Sequence, residues 1–156
     1  MTADGSTIDT ADLPAELQDI IDDFAALTDP DRLQLLLDFS RGLPDLPARY
    51  AEHPELMEPV PECQSPIFLI IEVDGTGPEA TVRLHFSAPP EAPTTRGFAG
   101  ILHEGLDGLT VARVLAVPAD LPLRMSLSAA VSPLRLRGMS GMLGRIQRQV
   151  GEKSAG

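Results

Sequence analysis

Six prolines fall between residues 42 and 66: Pro44, Pro47, Pro54, Pro59, Pro61 and Pro66. Each fixes its own φ and lacks a backbone donor, so no long helix or central strand can run through this stretch. The chain is therefore divided into an N-terminal part and a C-terminal part, joined by a long irregular connection. At most one helical turn, over Ala48–Glu52, fits inside it. Connections of this length are often functional.

The segment before the prolines reads as two helices. Leu17, Ile20, Ile21, Phe24 and Leu27 recur at helical spacing, opposite Glu16, Asp19, Asp22 and Asp23. Thr28-Asp29-Pro30-Asp31 ends the first helix and starts the second, with Asp29 as the expected cap and Pro30 at the first helical position. The second helix is predicted over about Asp31–Ser40, burying Leu33, Leu36 and Leu37, with Gly42 at its stop.

Beyond the prolines the period changes. Ile67–Val73 is β-branched and apolar, and reads as a largely buried strand. Asp74-Gly75-Thr76-Gly77-Pro78 is a turn, and Thr81–Phe86 alternates with period two, as an antiparallel partner does. A further strand before Cys63 has no readable pattern. Thr94 or Thr95 is the expected cap of a helix burying Phe98, Ile101, Leu102 and Leu106. Thr110 caps a short helix, and Ser132-Pro133 opens a last one that presents Leu134, Met139, Met142, Leu143, Ile146 and Val150. Gly138, Gly141 and Gly144 mark either close packing of that helix or fraying. Together these elements predict one α+β domain over 12–150, a small antiparallel sheet with helices packed on one face. Residues 1–11 read as a disordered tail and 151–156 as a flexible C-terminus.

Cys63 is the only cysteine among 156 residues. It has no intrachain disulfide partner, and zinc or iron–sulfur sites built on several thiolates are excluded within one chain. A lone thiol can act as a nucleophile or carry a group. Composition narrows the partners. The formal net charge is −11, which opposes nucleic acid and anionic membrane surfaces. Residues 1–62 carry 15 acidic and 3 basic side chains, against 8 and 9 in residues 63–156. The acidic half is either a solvated helical surface or a docking face for a basic partner. A polar, acidic N-terminus without an apolar run predicts no secretory signal, and no segment is long and apolar enough to span a bilayer. The expected compartment is the reducing cytoplasm. His53, His85 and His103 show no metal spacing and read as structural or surface residues, so neither metal nor cofactor is expected.

Four motifs in order resemble the SufE family of sulfur acceptors. They are Gly42-Leu43-Pro44-Asp45-Leu46-Pro47, Cys63-Gln64-Ser65 before an apolar strand, Thr95-Arg96-Gly97-Phe98, and Ser132-Pro133-Leu134-Arg135-Leu136-Arg137-Gly138-Met139. The resemblance runs from about Asp12 to Val150 and implies the same α+β architecture. It implies that Cys63 takes persulfide sulfur from a pyridoxal-phosphate-dependent, SufS-like cysteine desulfurase and stimulates that enzyme. Sulfur would then pass to a SufBCD-like iron–sulfur scaffold. It implies a carrier rather than an enzyme, as a monomer or weak homodimer. Arg135 matches the family arginine, a stabiliser of the sulfur anion or a support for the loop. Arg96, Gln64 and Ser65 are assigned structural roles, the last two as side-chain to backbone ties.

Two departures stand out. Glu62 occupies the position where the family usually has Gly, which alters the loop and puts a negative charge beside the thiol. Ala88-Pro89-Pro90-Glu91-Ala92-Pro93 replaces the family's acidic stretch. A thiol enzyme acting on a small substrate, and an interaction module of the same fold, are the alternative readings. The enzyme would need a base near Cys63, such as His85 or His103. An iron–sulfur scaffold of related fold would need about three cysteines. Apolar neighbours Val60, Ile67 and Phe68 predict a sheltered, poorly reactive thiol in the free protein.

Overall fold

The computed structural model describes residues 13–155, so the expected tail over 1–11 lies outside the described residues. The elements are α1 Ala15–Ala25, α2 Asp29–Gly42, α3 Ala48–Ala51, β1 Glu58–Pro59, β2 Phe68–Asp74, β3 Thr81–Ser87, α4 Pro93–Leu106, α5 Val111–Leu115 and α6 Pro133–Ser154. Short 3-10 turns occur at Pro54–Leu56, Pro61–Cys63 and Leu121–Met125.

The sheet is antiparallel in the order β1-β2-β3. Its register pairs Leu69 with Phe86, Ile71 with Leu84 and Val73 with Val82. These pairs share one face because side chains alternate along a strand. Leu69, Ile71, Val82, Leu84 and Phe86 are buried there, in one core with Phe98, Ile101 and Leu102 of α4 and Met139, Met142, Leu143 and Ile146 of α6. Each such side chain contributes about 1.5–3 kcal/mol on burial. The opposite face mixes half-buried Phe68 and Ile70 with Glu72, Arg83 and His85, and is partly covered by α3. There Tyr50 Oη donates to Glu72 Oε2, Arg49 grips the same carboxylate at 2.9–3.0 Å, and His85 Nε2 lies 3.0 Å from Glu72 Oε1.

The expected helices form, with corrected ends. α2 begins at Asp29, and Asp29 pairs with Arg32 at 2.9 Å instead of capping the helix. α4 begins at Pro93, so Thr95 lies inside it and its hydroxyl donates to the Ala92 carbonyl. Thr110 and Ser132 cap as expected, each accepting a backbone N–H three residues on. α6 passes the expected boundary at Val150 and continues to Ser154. Its extra turn is held by Lys153, whose ammonium donates to the Ile71 carbonyl.

Two contacts fix the helices around the sheet. α2 and α4 approach closely because Gly97 and Gly100 face α2; a Cβ at Gly100 would stand 2.2 Å from the Phe39 carbonyl oxygen. Arg96 then ties three separate carbonyls, Ser40, Ala88 and Leu43, at 2.8, 2.5 and 3.4 Å. Its fork of donors suits that task.

Candidate functional site

The Cys63 loop is pinned where it leaves the sheet. Val60 and Ile67 are each 1% exposed, and the Val60 N–H donates to the Ile67 carbonyl at 2.9 Å. Between these anchors Pro61–Cys63 makes one 3-10 turn, followed by Gln64 at φ 57° in the left-handed region. The positive φ thus falls after the cysteine, and Glu62 is not forced into it. Among the described residues, the Gln64 and Ser65 side chains make no hydrogen bond. Backbone bonds hold the turn instead: Cys63 N–H to Val60, Gln64 N–H to Pro61 and Ile67 N–H to Ser65. Phe68, expected as part of the shelter, is only half-buried.

Cys63 is buried, with 8% exposure. Its Sγ lies 3.6 Å from the Gly138 carbonyl oxygen of α6, within reach of a weak S–H donor bond. The approach depends on glycine: a Cβ at Gly138 would stand 3.1 Å from Sγ, and one at Gly141 3.0 Å from the Glu62 side chain. Gly144 faces open space. Close packing is therefore the role of two of the three glycines. Burial, aided by the Glu62 charge, pushes the thiol up to about 12, while Arg145 pulls the other way. In this seat the sulfur is a neutral thiol at physiological pH and a poor nucleophile.

Arg145 is the residue that the sequence reading missed. Its Nη2 donates to Glu62 Oε1 and Oε2 at 2.8 and 2.9 Å, and its Nη1 to Glu58 Oε2 at 2.9 Å. Arg148 also pairs with Glu58, and Gln149 Nε2 donates to Glu58 Oε1 at 2.8 Å. The Arg145 bond, with the backbone at Glu62, holds the Glu62 carboxyl below the usual range. Burial raises Glu58, but the bonds from Arg148, Gln149 and Arg145 outweigh it and leave that carboxyl low as well. The signal was present: Gly138, Gly141, Arg145 and Arg148 recur three or four residues apart, one stripe along a helix.

Arg135 precedes Gly138 by one helical turn on α6. It is exposed, and its backbone N–H donates to Ser132 Oγ. The histidines are engaged away from the thiol, His85 with Glu72 and His103 at 3.9 Å from Asp107. The Cys63 sulfur itself faces the Gly138 carbonyl, not either imidazole. Among the described residues no group of three or more His, Cys, Asp or Glu is arranged to hold a metal ion. No described helix is long and apolar enough to cross a membrane.

The family model described as "SufE: Fe-S metabolism associated domain" matches residues 18–150. The chain belongs to the SufE family. Two uncharacterized SufE-like proteins, from two strains of Mycobacterium tuberculosis, are 56% identical over 142 residues, spanning 91% of this chain and 96% of theirs. The chloroplastic/mitochondrial SufE-like protein 1 of Arabidopsis thaliana is 25% identical over 139 residues, which span 88% of this chain and 35% of that one. Among solved structures, a hypothetical protein from Thermus thermophilus superposes with a TM-score of 0.74 at 37% identity. That match covers 90% of this chain and 97% of the other. Family membership assigns the chain a sulfur-related role in iron–sulfur metabolism and agrees with the α+β fold.

Proposed function

We propose that this SufE-family protein is a sulfur carrier that accepts persulfide sulfur on Cys63 from a cysteine desulfurase. The observation that carries this reading is the housing of the sole cysteine. Cys63 sits as a neutral, buried thiol on a short loop whose two ends are anchored by Val60 and Ile67. Such a thiol is protected from oxidants while seated and becomes competent once the loop is displaced.

In the displaced state the Cys63 thiol loses its proton to solvent or to a partner base. The thiolate attacks the terminal sulfur of the desulfurase persulfide. A new S–S bond forms on Cys63, the S–S bond to the desulfurase breaks, and the electron pair leaves on the desulfurase cysteine. Freeing that cysteine stimulates the desulfurase. The same exchange, run with Cys63 as donor, delivers sulfur to an iron–sulfur assembly scaffold. The protein needs no cofactor for these steps, and it is a carrier rather than an enzyme. Arg135, exposed near the start of α6, is available to the partner or to the displaced sulfur anion instead of the seated thiol.

Intact-protein mass spectrometry after incubation with a cysteine desulfurase, pyridoxal phosphate and L-cysteine tests the reading. The expected result is a reductant-sensitive gain of one or more sulfur atoms, absent from Cys63→Ser. No gain with several active desulfurases overturns it.

A further inference from the structure

Glu62 directly precedes Cys63, and Glu58 forms β1, the strand that leads into the loop. A single guanidinium on α6 holds both. Arg145 spends its two terminal nitrogens on these carboxylates, at 2.8–2.9 Å. Its Nε is buried and has no partner among the described residues. The fork is thus aimed at the two glutamates, and the glycine track at Gly138 and Gly141 lets the loop come close enough for the bridge to close.

We propose that Arg145 is a positioning residue, a clamp that keeps the Cys63 loop seated through Glu62 and Glu58, so that release of the clamp sets how often the thiol is exposed. The functional meaning rests on the reading of Cys63 as a sulfur carrier; the opening itself needs no partner to be observed. The clamp is reachable from outside. The Arg145 and Glu62 side chains are 24% and 37% exposed, so salt or a charged group on a partner can compete for either.

Local electrostatics makes the opposite prediction, which gives the test its power. Arg145 favours the Cys63 thiolate, so removing its charge should slow the reaction if charge were its only role. If it is a clamp, removing it speeds the reaction. The measurement is the rate of Cys63 modification by an uncharged maleimide in the full chain. Arg145→Met is expected to react about tenfold faster than wild type, the size expected for a charge-assisted pair with partial exposure. Arg145→Lys should recover part of the protection. Added sodium chloride should speed the wild type more than Arg145→Met, which keeps only the Arg148–Glu58 pair. An Arg145→Met rate equal to or below wild type overturns the proposal.

Glu62→Gln is the second variant, because it leaves the Arg145–Glu58 bond in place and so safeguards the fold. Amide hydrogen exchange at Cys63 and Gln64 reads loop opening without reference to the thiol. Those two amides should exchange faster in Glu62→Gln, while the β2–β3 ladder keeps its protection. Unchanged exchange at Cys63 and Gln64 also overturns the clamp. A failure of sulfur loading by desulfurases would instead overturn the carrier reading and leave the clamp standing.

Discussion

Gly138→Ala separates the stability of the loop's seat from the stability of the fold. The added Cβ would stand 3.1 Å from Cys63 Sγ and 3.2 Å from Cys63 Cα. A few tenths of an ångström of relief are needed, which places the cost near the lower part of the overpacking range, about 1–2 kcal/mol. That cost falls only on the seated state. The substitution also improves a helix interior by about 1 kcal/mol relative to Gly, equally in the seated and displaced states. Loop opening should therefore rise roughly five- to thirtyfold. Global stability should move by no more than about 1 kcal/mol, because the two effects oppose each other there. The paired assays are the maleimide reaction rate at Cys63 and the urea unfolding midpoint. Gly144→Ala is the control, since nothing lies within 4 Å of its Cβ. It should raise the midpoint and leave the thiol rate alone. An unchanged or slower thiol rate in Gly138→Ala, with a raised midpoint, would refute the glycine seat.

Other expectations follow from the same geometry. Gly100→Ala drives a Cβ against the Phe39 carbonyl at 2.2 Å, a backbone atom that cannot swing away, and should cost at least about 3 kcal/mol in urea unfolding; a wild-type midpoint would show that α2 and α4 part easily. Gln149→Leu leaves the Ile71 N–H, now bonded at 2.9 Å, without its acceptor, at a cost of about 1–3 kcal/mol, and Ile71 should exchange its amide hydrogen faster. For Glu72, burial raises the carboxyl, but bonds from Tyr50, His85 and Arg49 outweigh it and bring it to about 2 from 4.5. Its folded value is depressed, so its contribution is present above 4.5 and lost as pH falls toward about 2. Glu72→Gln should flatten acid unfolding over that window, and an identical acid slope in the variant would contradict the assignment. Cys63 has the opposite sign: its seated value is raised from 9.0 to about 12, so the seat weakens as pH climbs through that interval. The modification rate should keep rising above the ordinary thiol range, and a plateau below 9.0 would count against a buried thiol.

Legibility in the sequence tracked how local each signal was. The helix faces of α1 and α4, the caps at Thr110 and Ser132, and the hairpin over β2 and β3 all rest on neighbours within a few residues. They were readable. The turn at Cys63 was readable too, because Pro61 and Pro66 rule out regular helix or strand across it. β1 was not readable, since two residues ending in Pro59 carry no period. The start of α2 was misplaced because Asp29 and Thr28 are both capping types, and the choice between them depends on Arg32 reaching back to Asp29. Arg145 was hidden for a related reason. Its carboxylate partners stand 83 and 87 residues away, and nothing in a linear pattern ties a helix arginine to a loop glutamate. The motif match drew attention to Arg135, ten positions earlier on the same helix, while the ion pair formed further along.

The small sheet has been closed against strangers. On one side, Gln149 and Lys153 occupy the backbone N–H and carbonyl of Ile71 where β1 has already stopped. On the other, the Val82 N–H and carbonyl are bound to Leu109 and Gly108, and the Leu84 N–H donates to Asp107 at 2.8 Å. A strand from another molecule would find these rungs taken. Aggregation by sheet extension is blunted at these sites, and a peptide seeking to add a strand there meets the same barrier. At these rungs an associate has to negotiate with side chains, and it cannot borrow the ladder.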